Sequence, residues 1–420
     1  MNPAFPSTGQ CRRCVLRPDF PCSCTLSPYK TVPISLWQND LMMLPSVPKS
    51  LGRLSDVFIS ALGSITGKEN RLGLPKVKSA CVILVDGLGA ANIRYRAGHA
   101  NFLASQLATD GTIMAGFPST TVTSLVSFST GLKAGQHAMV GYQVHDRKQG
   151  SNVNLLTGIG SPEDAIAWQS RKTVSEVAVE NSIDCYFIGP AEYENSGFTN
   201  ATMRGAKYVA AKTLDDRVAA AKKILNGKES ALVYLYVPEL DQRAHAYGSK
   251  SGQWVEKLED LDLAVRQLTA GLPASVGVLL TADHGIVDVA HERQIYLDEL
   301  TIDGLVSVGG DPRVQFLYLD DQHTDIASTE ACIQSIQEFV GKRAYAVGRE
   351  ELIAQGWYGQ VNDEARERMP DIFVIAHGES ALYHREFAKP KSLQMIGQHG
   401  AISDDELFVP LLRFGAYKKP

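Results

Sequence analysis

Short, predominantly apolar runs punctuate a chain that is otherwise mixed in polarity. Ala80–Val85 (ACVILV), Ala231–Val237 (ALVYLYV), Val276–Leu280 (VGVLL) and Asp371–Ala376 (DIFVIA) are the clearest. They are too short for core helices and lack the alternation of a half-exposed strand, so they predict strands buried on both faces. Stretches with a helical period lie between them. Residues 213–226 open on a Thr213-x-x-Asp216 capping box and stop at Asn226-Gly227. Residues 253–270 place Leu258, Leu261, Val265 and Leu268 on one face, with Gly271 after them. Strands alternating with helices predict an α/β fold, a mostly parallel central sheet with helices on both faces. Further on, Val314–Leu319 (VQFLYL) predicts another strand. Residues 329–340 predict a helix with Cys332, Ile336 and Phe339 or Val340 inward. Nothing marks Cys332 as an activated thiol, so it is read as packing. Internal repeats and low-complexity tracts are absent from the sequence.

Residues 1–41 break this pattern. They hold six of the 19 prolines and four of the seven cysteines, and no period of either kind is visible. Arg12, Arg13, Arg17 and Lys30 stand against Asp19 and Asp40, a net charge of +2. Residues 1–45 are therefore expected to be a Pro/Cys-rich extension outside the packed fold, with Met42 or Met43 the natural start. Cys11, Cys14, Cys22 and Cys24 have spacings that a zinc ion can close. The Cys22-x-Cys24 pair is cramped, however, and no apolar residues surround it, so a non-essential extension is the reading carried forward. No basic segment followed by an apolar one marks a leader. Together with three scattered cysteines in the remainder, this gives a cytoplasmic location as the expectation.

Composition narrows the partners. The 420 residues are 44% hydrophobic and 21% charged, which excludes a wholly disordered chain. A net charge of −5 gives no support for a nucleic-acid polymer as partner. No apolar run approaches the roughly 18–20 residues of a spanning helix, so no membrane partner is expected. No signature sets an oligomeric state.

Candidate chemistry gathers where the apolar strands end, the edge at which open parallel sheets place their function. Asp86 follows CVILV, Asp241 and His245 lie just past the run ending at Val237, and Asp283 and His284 follow LLTA. His399, in Gly397-Gln-His399-Gly400, comes after the DIFVIA run. Singly, an Asp-Gly after a strand is a turn and a lone His is a hydrogen-bonded residue. Together, three Asp and three His suit two divalent cations of the zinc or manganese type, since no thiolate is involved. Two such ions can clamp the attacking and leaving oxygens of a phosphoryl transfer. A nucleophile candidate lies in Phe117-Pro-Ser-Thr-Thr121-Val-Thr-Ser124, where Ser119 or Thr120 can cap a helix. A hydroxyl there meets the positive end of the helix dipole.

In this order, Asp86, Thr121, Asp241-x-x-x-His245, Asp283-His284 and Gly397-x-His399-Gly400 resemble the alkaline phosphatase superfamily, most closely its nucleotide pyrophosphatase/phosphodiesterase branch. Phe117–Tyr142, including Thr130-Gly131 and His137, is similar to the family's nucleophile block, and the likeness covers roughly residues 78–415. The resemblance implies that Asp241, His245 and His399 bind one metal, and Asp86, Asp283, His284 and Thr121 the other. It implies that Thr121 attacks phosphorus to form a phosphothreonine that water then hydrolyses. It further implies a small phosphorylated, nucleotide-like substrate, and an alkaline phosphatase-like domain over residues 46–420 with a small α+β cap insert around 300–365. Two positions depart from the family. Thr120 stands where the diesterases carry a lysine, and Tyr142 where they carry an asparagine that binds a phosphate oxygen. Tyr142 is accordingly the candidate substrate contact.

Other readings fit less well. Gly87 and Gly89 imitate a dinucleotide fingerprint, with Asp110 at a tempting distance, but Asn92 replaces the third glycine. No G-x-S-x-G elbow exists for a serine hydrolase, and the nucleophile block lacks the sulfatase Cys/Ser-x-Pro-x-Arg pattern. A phosphomonoesterase or phosphonoacetate-type hydrolase shares all six ligands, as would an inactive metal-binding module. Arg313 and His291 are read as solvated rather than as substrate contacts. A chain beginning at Met43 is expected to fold and turn over as the full chain does. Loss of folding, or of a third, thiolate-bound zinc by elemental analysis, would overturn this reading of the four cysteines.

Overall fold

The computed structural model describes residues 43–48 and 52–418, so Cys11, Cys14, Cys22 and Cys24 lie outside the described residues. Ten of the strands and five of the helices build the two main sheets and carry most of the site. In chain order the strands are β1 (Ser79–Val85), β2 (Asp184–Gly189), β3 (Lys207–Ala210), β4 (Ala231–Val237), β5 (Val276–Ala282), β6 (Leu305–Asp311), β7 (Val314–Leu319), β8 (Ala344–Gly348), β9 (Ile372–Ala376) and β10 (Leu412–Gly415). The helices are α1 (Thr121–Thr130), α2 (Leu214–Leu225), α3 (Glu239–Tyr247), α4 (Gly252–Thr269) and α5 (Ile326–Val340).

A six-stranded sheet runs in the order β10-β5-β1-β4-β2-β3. Four of its five pairings are parallel, and only the edge strand β10 runs antiparallel, against β5. Every residue of β1, β4 and β5 is buried. Total burial requires cover on both faces, as the uninterrupted apolar runs predict. Helix α2 begins at the capping box of Thr213 and Asp216, and α4 buries Leu258, Leu261, Val265 and Leu268. Among the described residues, no helix is long and apolar enough to cross a membrane.

The run at 371–376 does not join this sheet. As β9 it pairs antiparallel with β7 and β8 in a second sheet of order β6-β7-β9-β8. Its residues divide by the period of two. Phe373 and Ile375 pack into the main core, while Ile372, Val374 and Ala376 face a separate cluster with Ile336 and Val340 of α5. Phe316 and Tyr318 of β7 likewise face the main core, and Leu317 and Leu319 the second cluster. An apolar strand buried on both faces reads the same in either sheet, which is why the run alone could not place it. Cys332 is half-buried against the second cluster, as packing requires.

Arg313 overturns its expected role. It is fully buried in the β6–β7 turn and forms a bidentate pair with the equally buried Glu406, Nε to Oε1 at 3.1 Å and Nη2 to Oε2 at 2.6 Å. Its Nη1 donates to the carbonyls of Gly378 and Ser380. Glu406 also accepts from the Ala401 N–H and the Ser403 hydroxyl. Both carboxylate oxygens and all three guanidinium nitrogens are thus hydrogen-bonded, the condition under which a buried ion pair is tolerable. The pair fastens the second sheet to the segment that follows His399. His291 is exposed in a short 3-10 turn. Arg313→Met, which strands Glu406, is expected to cost about 3–5 kcal/mol in urea unfolding, whereas Arg313→Met with Glu406→Leu should cost much less. Equal losses would show that the charge pairing is not what holds this junction.

Candidate active site

The parallel register brings three strand ends to one level. Val85 of β1 lies opposite Val237 of β4 and Ala282 of β5. The residues just beyond, Asp86 and Asp283, therefore emerge side by side. Asp241 and His245 stand four apart on α3, one turn along the same face, with Asp241 Oδ2 3.2 Å from His245 Nε2. Gly87 lets this helix approach. Its φ is +70°, and a Cβ there would lie 3.0 Å from Asp241. His399 follows a two-residue strand, Gly397–Gln398, paired with Val287–Asp288.

Two groups result, Asp241–His245–His399 and Asp86–Asp283–His284, each with its potential ligand atoms within 4.8 Å of one another. His284 Nε2 lies 3.3 Å from Asp86 Oδ1 and 3.6 Å from Asp283 Oδ2. The groups adjoin through His284 and His399, whose rings stack at 3.6 Å. Thr121, the first residue of α1, places Oγ1 3.2 Å from His284 Nε2. Thr120, not Ser119, caps the helix.

The donor set fits divalent cations. Each histidine directs Nδ1 at a backbone carbonyl: His245 at Gly397 (2.7 Å), His284 at Gly285 (3.0 Å) and His399 at Ser119 (3.0 Å). A carbonyl only accepts, so Nδ1 carries a proton, and Nε2 is the nitrogen that faces inward to ligate a cation when the ring is neutral. Asp86 Oδ1, Asp241 Oδ1 and Asp283 Oδ2 are buried without a hydrogen-bond partner. Their companion oxygens are held: Asp283 Oδ1 accepts the N–H groups of Gly87 and His284, and Asp86 Oδ2 accepts the Tyr236 hydroxyl. Buried carboxylates half satisfied in this way are what a cation completes.

Electrostatics agree. Burial alone would lower the His284 pKa, but Asp283 and Asp86 outweigh it and raise it to about 10. Burial, then repulsion from Asp86, pushes the Asp283 carboxyl well up. Burial would raise Asp241, but His245 holds it far below its ordinary value. Burial, reinforced by His284, drives His399 well below the usual range. Without cations, protons on part of the cluster offset the crowded carboxylates.

Tyr142 is half-buried and lines the same cavity of about 780 Å³ as Thr121 and the ligand candidates. Burial raises its pKa, with Asp311 and Asp241 adding to the effect, so its hydroxyl keeps the proton it would donate. His137 does not reach the site. Burial lowers its pKa to about 3, and it braces the turn before Tyr142 through Ser127 and the Met139 N–H.

Several supporting residues escaped the sequence reading. The Tyr236 hydroxyl orients Asp86, and the two tyrosines in ALVYLYV were the available signal, because a buried phenol needs a partner. Arg217 pairs with Glu239 and donates to the Tyr236 carbonyl at 2.8 Å, which anchors the start of α3. Ser119 bonds Gly400 and Ala401, tying the nucleophile segment to the His399 segment. Asp311 enters the cavity from the β6–β7 turn. Asp110 is spent on Gln106 and the Arg413 N–H.

A mostly parallel sheet that presents two Asp/His groups and a helix-borne threonine at its carboxyl edge defines an alkaline phosphatase-like architecture. The family described as type I phosphodiesterase / nucleotide pyrophosphatase matches residues 80–402, and the chain belongs to it. A venom phosphodiesterase of Naja atra is 26% identical over 211 residues, 47% of this chain and 25% of the relative. An uncharacterized pyrophosphatase/phosphodiesterase of Schizosaccharomyces pombe is 24% identical over 193 residues, 44% of this chain and 39% of the relative. The chain thus spans between 25% and 39% of the length of these curated relatives. Murine ectonucleotide pyrophosphatase/phosphodiesterase 5 has a similar structure, with a TM-score of 0.63 and 16% identity over 80% of this chain and 88% of that one. Its inactive variant, in complex with AMP, matches equally well. The human protein aligns with a TM-score of 0.60, 16% identity, and 81% and 90% coverage. At this identity the likeness shows the fold.

Divalent cations must displace protons from this cluster. With the His284 pKa raised to about 10, its imidazole is protonated at neutral pH, and ligation requires the neutral form. Zinc uptake by the cation-free protein is therefore expected to release protons and to weaken as pH falls. Calorimetry in two buffers of different ionisation heat would read this directly, and a buffer-independent heat would contradict it.

Proposed function

We propose that the protein hydrolyses phosphodiester or pyrophosphate bonds of small nucleotide-type substrates through a phosphothreonine at Thr121, with two divalent cations as cofactor. The observation that carries this reading is the convergence of Thr121 Oγ1 on two adjacent Asp/His groups at the wall of one large cavity. Asp241, His245 and His399 would hold one cation, and Asp86, Asp283 and His284, with Thr121, the other. Such ions supply Lewis acidity, lowering the pKa of a bound hydroxyl or water and neutralising developing charge. Zinc suits the imidazole and carboxylate donors, and manganese is the alternative.

The chain's own residues do the rest. Thr121 Oγ forms a bond to phosphorus as the bond from phosphorus to the leaving oxygen breaks, and the leaving group departs with a proton. Water then attacks the phosphothreonine, which releases phosphate product and restores the hydroxyl. The position of Thr121 at the first turn of α1 sets the incoming phosphate against the helix's unpaired N–H groups. Tyr142 donates to a phosphate oxygen in place of the family's asparagine. The cavity wall carries Phe187, Tyr193, Phe198 and Tyr236, flat apolar surface that suits a nucleobase or another aromatic group. The AMP held by the murine relative supports this choice of substrate class.

The test is turnover of bis-p-nitrophenyl phosphate, p-nitrophenyl phosphate and a p-nitrophenyl nucleotide by the zinc- or manganese-loaded chain. Chelator is expected to abolish hydrolysis. Thr121→Ala should lower it by at least about a thousandfold, the scale on which loss of a covalent nucleophile is felt. Full activity in Thr121→Ala would end the covalent route, and a monoester rate far above the diester rate would end the assignment of substrate.

A further inference from the structure

Asp311 is a buried carboxylate in the cavity wall that neither cation group uses. It is 7% exposed, and its Oδ2 has no hydrogen-bond partner. The turn that carries it is firmly set. Gly310 before it adopts φ +83°, where a Cβ would meet the Val314 carbonyl at 2.1 Å. Asp311 pairs with Val314 across the hairpin, and its carbonyl accepts from Gln315 Nε2 at 2.8 Å. Arg313, two residues on, is clamped by Glu406. A Cβ on Gly400, next to His399, would lie 3.3 Å from the Asp311 Cβ. The carboxyl therefore sits beside the His399 segment, within electrostatic reach of His284, His245 and Asp241.

We infer that Asp311 limits the charge of the phosphate this site accepts, favouring a monoanionic diester over a dianionic monoester. The inference rests on the two-cation hydrolase reading above. Three carboxylates, Asp86, Asp241 and Asp283, together with a Thr121 alkoxide balance two dications; burial pushes the Asp311 carboxyl up to about 7, so at pH 8 it adds one further negative charge. No arginine lines the cavity among the described residues, and its two lysines, Lys389 and Lys391, are exposed at the rim. A monoester dianion therefore brings its second charge towards a carboxylate with no buried cationic side chain to offset it. A diester brings one charge fewer.

The experiment compares wild type, Asp311→Asn and Asp311→Glu as zinc-loaded full-length protein at pH 8. Asp311→Asn is expected to raise kcat/KM for p-nitrophenyl phosphate on the order of tenfold relative to bis-p-nitrophenyl phosphate, the scale of one like charge removed at several ångströms. Asp311→Glu, which keeps the charge, should retain the diester preference. An unchanged ratio in Asp311→Asn overturns the inference. Calorimetric binding of inorganic phosphate, mainly dianionic at this pH, gives a readout independent of turnover. It should tighten in Asp311→Asn on the order of tenfold for the same reason, and equal affinity overturns the inference. Should the wild type cleave neither ester, the functional reading falls, while the phosphate affinities still decide the role of Asp311.

Discussion

Three carboxylates and three imidazoles converge at one edge of a parallel sheet, and their mutual repulsion and desolvation constrain everything built around them. Strand register makes the convergence unavoidable, because β1, β4 and β5 end at the same level. The protein offsets part of the charge with its own groups. Backbone N–H groups hold Asp283, a phenol holds Asp86, and His245 pairs with Asp241. One oxygen of each carboxylate is left unfilled. That remainder of unmet demand is the structural argument for cations at this edge.

The support behind this edge works through backbone carbonyls and buried pairs. Each histidine is turned by a main-chain carbonyl, so the inward lone pair follows from the loop path rather than from another titratable group. Ser119 joins the loop before α1 to the loop after His399, and Arg313 with Glu406 joins that loop to the second sheet. Disturbance of either sheet thus reaches His399 through short, fully bonded links.

The identity of the strands and of the helix faces was legible in local patterning. Thr213 and Asp216 cap α2, and Leu258, Leu261, Val265 and Leu268 face inward from α4, where period and capping chemistry placed them. The two groups of candidate ligands also come together as the ordered motifs indicated. Legibility stopped where a residue's role depends on a distant partner. Arg313 looked like a surface arginine because Glu406 lies 93 positions away. Tyr236 looked like core because Asp86 lies 150 positions away. Residues 371–376 looked like part of the main sheet because a strand with two buried faces carries no mark of which sheet it enters.

By itself, then, the sequence determined where strands and helices form and which residue types stand at the strand ends. Those features depend on side-chain period, caps and turn chemistry within a few residues. Only the tertiary structure decided which strands are neighbours, which lone pairs point inward, and that Asp311 and Arg313 belong at the site and its brace. The physical reason is that register, burial and ion pairing are properties of residues brought together across the chain, and a buried charge acquires its role from the group it meets there.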